Sequence, residues 1–376
     1  MIILCAKRWD MKKQLKIYGI TVLLLVVGLS GCINQESDSG TSDQTTDELS
    51  LSLDLVRKIE VADGFYPGII FTYNQFYVSY EIGQGAIYLK IYDENFNDLD
   101  MTYLLADDDM GADHQKVFGN NSFYLVGSNF LYKFDSELNM IKSVRYYDDL
   151  NSKYPEQFSE FGVVGDMLFY YADGFVYLGV PIGDTGKESG KKLDLPGDLL
   201  IQKYNENLEL VNETTLEGVG NVPGSSMMLK DGIWTIVCGD KRWDDSSLIV
   251  ARYSEAGVFI DKKTISAVAD ANEEFAMGLI FEDDIYYVGY QHITGDLFQP
   301  TEEEIFQHVD VMLKVFDLNW SLLGEILVTN DDSSSVNTGH MGRPHLALVG
   351  NKIYVAYDSG EAGGVKIFVK EYEFKE

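Results

Sequence analysis

Apolar and polar residues alternate at period two over most of the chain, a pattern that predicts strands rather than helices. Val, Ile, Tyr and Phe fill the apolar positions, and such side chains pack well on a pleated surface. One element recurs, a turn followed by an aromatic strand. It reads Phe76–Tyr80, Phe123–Gly127, Leu168–Tyr171, Ile233–Val237, Ile285–Val288 and Ile353–Tyr357. Before these runs stand Asn74, Asn120-Asn121, Gly165-Asp166, Asp231-Gly232, Asp283-Asp284 and Gly350-Asn351, which accept a tight or left-handed backbone at low cost. A second run follows each copy and carries a basic residue just before a closing aromatic. Its examples are Lys90–Tyr92, Lys133-Phe134, Lys203-Tyr204, Arg252-Tyr253, Lys314–Phe316 and Lys370–Tyr372. A short strand then returns, as in Met140–Val144. Another precedes the aromatic strand, as in Gly68–Phe71, Gly162–Val164 and His345–Leu348.

Each unit thus reads as four strands, A to D, joined by tight turns at A–B and C–D and by longer loops at B–C and D–A. Repeats of roughly fifty residues with four strands suit radial blades, so the body is expected to be all-β, a six-bladed β-propeller of four-stranded blades. A seven-unit ring and two stacked sandwiches are the competing arrangements. The last unit stops at Tyr372-Glu373-Phe374, after its third strand, while Leu53–Val61 at the front belongs to no unit. That N-terminal strand is expected to complete the last blade and close the ring, which removes an exposed edge. Glutamates around Glu273 and Glu302 suggest short helices inside loops.

The front of the chain reads as an address. Lys12, Lys13 and Lys16 precede the apolar run Ile17–Leu29, a secretory signal shorter than a comfortable membrane span. Met11 opens the basic region directly, so residues 1–10 read as an extension ahead of the natural start. Leu29-Ser30-Gly31-Cys32 resembles the lipobox of prokaryotic lipoproteins. The resemblance implies cleavage before Cys32, a lipid on that cysteine, and an extracytoplasmic chain anchored to the cell membrane. Residues 1–31 are then the signal peptide. Residues 32–52 form the lipidated cysteine and a polar tether too poor in apolar side chains to fold, and 53–376 the propeller domain.

Composition adds two exclusions. A net charge of −31 gives no basic face for phosphate backbones, so nucleic acid is not an expected partner. After cleavage Cys238 has only Cys32 for company, so no intrachain disulfide is expected, and Cys238 reads as a small buried hydrophobe.

The body resembles the six-bladed propellers of prokaryotic surface proteins, including the sialidase-like type, through segments such as Arg343–Tyr357. The sialidase Asp-box, Ser-x-Asp-x-Gly-x-Thr-Trp, is absent, and Ser254–Phe259 is a degenerate echo of it. Long loops on a rigid scaffold carry function, which directs attention to the B–C and D–A loops: 106–113, 146–158, 173–199, 291–310 and 329–343.

Residues leading into each strand A line the mouth of the channel. Tyr66, His114, Arg343 and His345 are the candidate ligand-binding residues, since Arg343 offers a bidentate grip on a carboxylate. Glu160 and Glu274 are the candidate acid–base pair for a glycosidic bond. Asp107, Asp109 and Asp113 space carboxylates around Gly111 like a calcium loop without its bidentate glutamate, so calcium is a weak expectation and no other cofactor is expected. The leading reading is a lipid-anchored surface protein that binds a ligand or partner, a glycan or an envelope protein, through its loop face. A glycan-acting hydrolase and an envelope scaffold subunit are the alternatives.

Overall fold

The computed structural model describes residues 52–82, 86–106, 115–119, 121–127, 129–154, 167–182, 197–219, 224–240, 246–268, 271–294, 308–329, 342–361 and 364–375. In chain order the elements begin with β1 (Leu53–Asp63), which stands apart from the first blade. Blade 1 is β2 (Phe65–Thr72), β3 (Gln75–Ile82), β4 (Ala86–Asp93) and β5 (Asp98–Ala106). Blade 2 is β6 (Gln115–Gly119), β7 (Ser122–Val126), β8 (Phe130–Phe134) and β9 (Met140–Arg145), followed by the helix α1 (Tyr146–Lys153). Blade 3 is β10 (Leu168–Ala172), β11 (Phe175–Ile182), β12 (Asp198–Asn205) and β13 (Leu210–Leu216). Blade 4 is β14 (Ser226–Lys230), β15 (Ile233–Gly239), β16 (Leu248–Ser254) and β17 (Phe259–Ser266). Blade 5 is β18 (Ala271–Glu282), β19 (Ile285–Thr294), β20 (His308–Phe316) and β21 (Leu322–Leu327). Blade 6 takes β22 (His345–Val349), β23 (Lys352–Glu361) and β24 (Gly364–Phe374), and β1 completes it in the order β1-β24-β23-β22.

Six four-stranded antiparallel sheets therefore form a ring, a β-propeller closed as the sequence predicts. Leu53 lies opposite Phe374 and Asp63 opposite Lys366, with two bulges between. One assignment shifts. Leu168–Tyr171 is not strand B of blade 3 but its innermost strand, because the tight turn falls at Asp173-Gly174 (φ 51° and 81°) rather than at Gly165-Asp166. The preceding 162–164 run lies outside the described residues. The aromatic density of Tyr170-Tyr171 imitates a second strand, and the real one follows as Phe175–Ile182. Glu273 lies in β18, not in a short helix, since its backbone pairs with His292 across the ladder. Glu302 lies outside the described residues. Among the described residues one helix forms, α1, which covers blade 2 by burying Tyr146 and Leu150; the Tyr146 hydroxyl donates to the Gly127 carbonyl at 2.5 Å.

Blades meet through aromatic faces. Phe76 of blade 1 lies 4.4 Å from Tyr354 of blade 6, and Tyr177 of blade 3 lies edge-on to Trp234 of blade 4 at 5.0 Å. Such pairs add about 0.5–1.5 kcal/mol beyond the area they bury. The recurring basic residue before each closing aromatic also has a structural reason. Lys133 donates to the Glu206 carbonyl of the next blade at 2.8 Å, and Lys203 reaches Glu255 of the next at 3.4 Å. Lys314 reaches Ser266 Oγ and Lys370 the Val328 carbonyl, each on the preceding blade. Arg252 is the exception and pairs with Asp261 of its own blade.

The C–D turns share one design. Asp93 Oδ1 accepts the backbone N–H groups of Asn95 and Asn97, and Asp135, Asn205 and Asp317 do the same two and four residues on. The residue at the third step is left-handed: Phe96, Leu138, Leu208, Gly257 and Trp320 have φ between 53° and 84°. That conformation costs a non-glycine residue about 1–2 kcal/mol. It tucks Phe96, Leu208 and Trp320 under their blades, and burying such a side chain returns about 1.5–3 kcal/mol, so the plug wins. Ser254–Phe259, the echo of an Asp-box, is the blade 4 copy of this turn.

A glycine marks the tightest blade contact. A Cβ on Gly119 would lie 2.2 Å from the Tyr171 ring across the blade 2–blade 3 interface. Gly119→Ala, which in a neutral strand site would be harmless or mildly favourable, is expected to cost about 1–3 kcal/mol by overpacking. Chemical denaturation of the two proteins checks this, and an unchanged midpoint would show that the tyrosine ring moves aside freely.

Candidate functional site

The site is built on the loop-face end of the seam where blade 6 meets blade 1. Gly64 starts it. Its N–H donates to the Val365 carbonyl at 3.0 Å, and a Cβ there would strike the Glu81 carbonyl oxygen at 2.6 Å, so only glycine lets β1 hand over to β2 so closely. Phe65 pairs with Glu81, and a bulge between Phe65 and Gly68 lifts Tyr66 out of the ladder at φ 52°. From the other blade, Gly342 approaches at φ 74° just before β22.

Asp358 of β23 ties these two segments, the start of β2 and the approach to β22, to each other. Its Oδ2 accepts the Tyr66 N–H at 3.1 Å and its Oδ1 accepts the Gly342 N–H at 2.5 Å. Burial pushes this carboxyl up from the ordinary value, and the two N–H groups and Arg343 partly offset that. The Arg343 guanidinium stands 4.7 Å over the Tyr66 ring, a cation–π contact. Burial lowers Arg343 to about 10, against the pull of Tyr66, Asp358 and Glu81, so it remains charged at neutral pH. Part of the Arg343 surface still meets solvent. Burial likewise raises the Tyr66 hydroxyl, which keeps it a neutral donor.

The polarity is local to this arc of the ring. Counted along strand B from the A–B turn, Glu81 of blade 1, Gln291 of blade 5 and Asp358 of blade 6 occupy one and the same position, and all three are buried. Blades 3 and 4 place Pro181 and Gly239 there. Three neighbouring blades thus carry buried polar groups at a position where blades 3 and 4 carry none. Burying such groups is costly unless each is satisfied, so their concentration marks a site. Beside it, His345 at the start of β22 lines a central cavity of about 160 Å³ with Ile69, Phe169, Met227, Met277 and Leu346.

Of the residues the sequence nominated, Tyr66 and Arg343 meet directly, and His345 lines the adjoining channel. Glu274 has its backbone on β18 opposite Gln291, and its side chain lies outside the described part. Cys32, Glu160, His114, Asp107, Asp109 and Asp113 also lie outside the described residues. Cys238 is buried and free, and burial pushes its thiol up to about 12, which keeps it unreactive as expected. The sequence reading missed Asp358, Glu81 and Gly342. A signal existed in the carboxylates that end the apolar runs Phe76–Tyr80 and Ile353–Tyr357. Among the described residues no group of His, Cys, Asp and Glu is placed to hold a metal ion.

The sequence matches no family model and no curated protein. Among solved structures the ring resembles a member of the DUF4221 family from Bacteroides vulgatus ATCC 8482. The match has 10% identity and a TM-score of 0.50, covering 88% of this chain and 99% of that one. It also resembles the endosialidase of phage phi92, at 8% identity and a TM-score of 0.51, over 87% of this chain and 70% of that one. At these identities the likeness is one of fold, and the sialidase-like neighbour is met at that level.

Proposed function

We propose that the chain is a lipid-anchored cell-surface protein whose propeller binds a ligand or partner at its loop face, in the recess built on Tyr66 and Arg343. The observation that carries the reading is the polar arc of Glu81, Gln291 and Asp358 on three adjacent blades, at a position that is non-polar in blades 3 and 4, capped by a cation on an aromatic ring. A purely structural ring has no need to bury carboxylates at this position. The opposite face supports the same direction, since its turns are short and spend their carboxylates on their own backbone. A ligand here would be held by hydrogen bonds and one guanidinium, with the channel beside it to take a small side group.

A glycan and small-molecule binding screen on the whole chain, repeated with Arg343→Ala, tests this. The expected result is a ligand whose affinity falls at least about tenfold in the variant, a loss of about 1.4 kcal/mol. Equal binding by both proteins would remove Arg343 from the site. Mass measurement of the mature amino-terminal peptide tests the anchor, with a lipid on Cys32 expected and an unmodified cysteine overturning it.

A further inference from the structure

The turn face carries a pattern that the binding reading does not use. Strand D of each blade begins opposite the aromatic that closes strand C. The pairs are Tyr92 with Asp98, Phe134 with Met140, Tyr204 with Leu210, Tyr253 with Phe259 and Phe316 with Leu322. On the closing blade, Tyr372 faces Leu55 of β1 in the same way. Met140, Leu210, Phe259, Leu322 and Leu55 are between 39% and 56% exposed, so five of these six equivalent positions show an apolar side chain to solvent. The next residue repeats the feature: Ile141, Val211, Ile260 and Val56 are exposed too. With Val258 and Leu318 of the adjoining turns, these make eleven of the sixteen large exposed hydrophobics among the described residues. Singly scattered apolar residues need no explanation, but a set concentrated at one register position does.

We propose that this face rests on the surface of a lipid bilayer poor in anionic lipid, with the apolar pairs seated at shallow depth. Equivalent register puts the pairs at the same distance along their strands from the turns, and an extended flat partner meets all of them at once. The chain outside the described structure ends at the same place. Ser52 accepts the backbone N–H of Lys375 at 3.0 Å, beside the Leu53–Phe374 pair, so the tether leaves from the turn end of β1. A polar tether of the length of residues 33–51 would reach roughly 25 Å if it behaves as a coil, enough to hold this face within reach of the membrane and allow individually weak contacts to suffice. Here the proposal rests on the lipid-anchored reading. The lipid preference follows from the turns. Hydrogen bonds from Asn97, Asn139 and Ser321 hold Asp93, Asp135 and Asp317 below the ordinary carboxylate range, so these three turn carboxylates stay ionised where anionic headgroups would repel them.

The test places an environment-sensitive fluorophore on Ile141→Cys or Val211→Cys in the full lipidated chain, bound to phosphatidylcholine vesicles. Val268→Cys, at an exposed apolar residue outside the pattern, is the control. Cys238 is buried and does not compete for label. Expected are a blue shift and about twofold quenching by bilayer-embedded quencher at 141 and 211 and neither at 268, with both signals reduced when half the lipid is phosphatidylglycerol. A chain that floats with the vesicles while both labels stay silent overturns the docking and leaves the anchor standing. A chain that does not float, with Cys32 unmodified, overturns the anchor and the docking with it. A blue shift without vesicles that grows with protein concentration assigns the pairs to contacts between copies and also overturns the proposal.

Discussion

A chain that starts at Gly64 is expected to lose its cooperative unfolding transition, although it lacks only one strand of the ring. The strand β1 pairs with β24 along its whole length. It also buries Val61 and packs Ile59 and Ala62 into the blade 6–blade 1 core with Phe76, Tyr354 and Ile367. Fully burying one such aliphatic side chain is worth about 1.5–3 kcal/mol, so the strand's apolar contribution alone is a sizeable part of a typical 5–15 kcal/mol stability. Its loss does two further things. It strips Arg57 from Glu371, a carboxylate only 1% exposed that is held by Arg57 and Lys352 at 2.5 and 2.6 Å. It also turns β24 into an open edge, a template for aggregation. The truncated chain should aggregate on expression or melt broadly. A peptide of residues 52–63 supplied in trans should restore part of the sharp transition. A sharp, unshifted melt for the truncated chain would show that the ring closes without its strap. Arg57→Ala in the full chain is the graded version. It should cost about 1–2 kcal/mol, more than an exposed pair and less than a fully buried one, because Lys352 remains.

The ring and its closure were legible because they are written in local chemistry repeated six times: a left-handed turn, an aromatic strand, a basic residue before a second aromatic. Where local chemistry is ambiguous the pattern misleads. Tyr170-Tyr171 carries the signature of a second strand but lies first in its blade, since nothing in the run distinguishes a channel-lining strand from its neighbour. The site was half legible for a related reason. Tyr66 and Arg343 stand where strands begin, and topology alone sends them to one mouth. Asp358 and Glu81 stand inside strands of separate blades, remote in sequence, and only the seam brings them to the same guanidinium. The alternation of strand B did contain the clue, in that a carboxylate ends an apolar run there, but a chain with 60 acidic residues offers many such endings. The turn-face pairs were hidden by the same alternation, because an outer strand and a half-buried one look alike until the neighbour on the far side is known to be missing.

Replacing Asp358 separates its charge from its shape. Asp358→Ala leaves the N–H groups of Tyr66 and Gly342 without their acceptor and removes the carboxylate beside Arg343. Each orphaned buried donor costs about 1–3 kcal/mol, so a total loss of about 3–5 kcal/mol is expected, together with loss of any ligand held at Arg343. Asp358→Asn keeps the size and one acceptor oxygen but turns an amide N–H toward a backbone N–H. It should fold with a smaller loss of about 1–3 kcal/mol. The pair also reports which effect governs the site. Burial raises the carboxyl above its ordinary 3.8, so between that value and the folded one the native chain binds more protons than the unfolded chain. The slope of stability against pH from this group is therefore negative: its contribution is greatest at low pH and falls as pH rises through the window. The native protein should gain stability relative to Asp358→Asn as pH is lowered from 7 toward 4, as read from denaturation midpoints of both proteins in the same buffers. The opposite trend would mean that the two N–H groups and Arg343 outweigh desolvation. Asp358 would then be a clamp whose ionised form the fold favours through its two N–H donors.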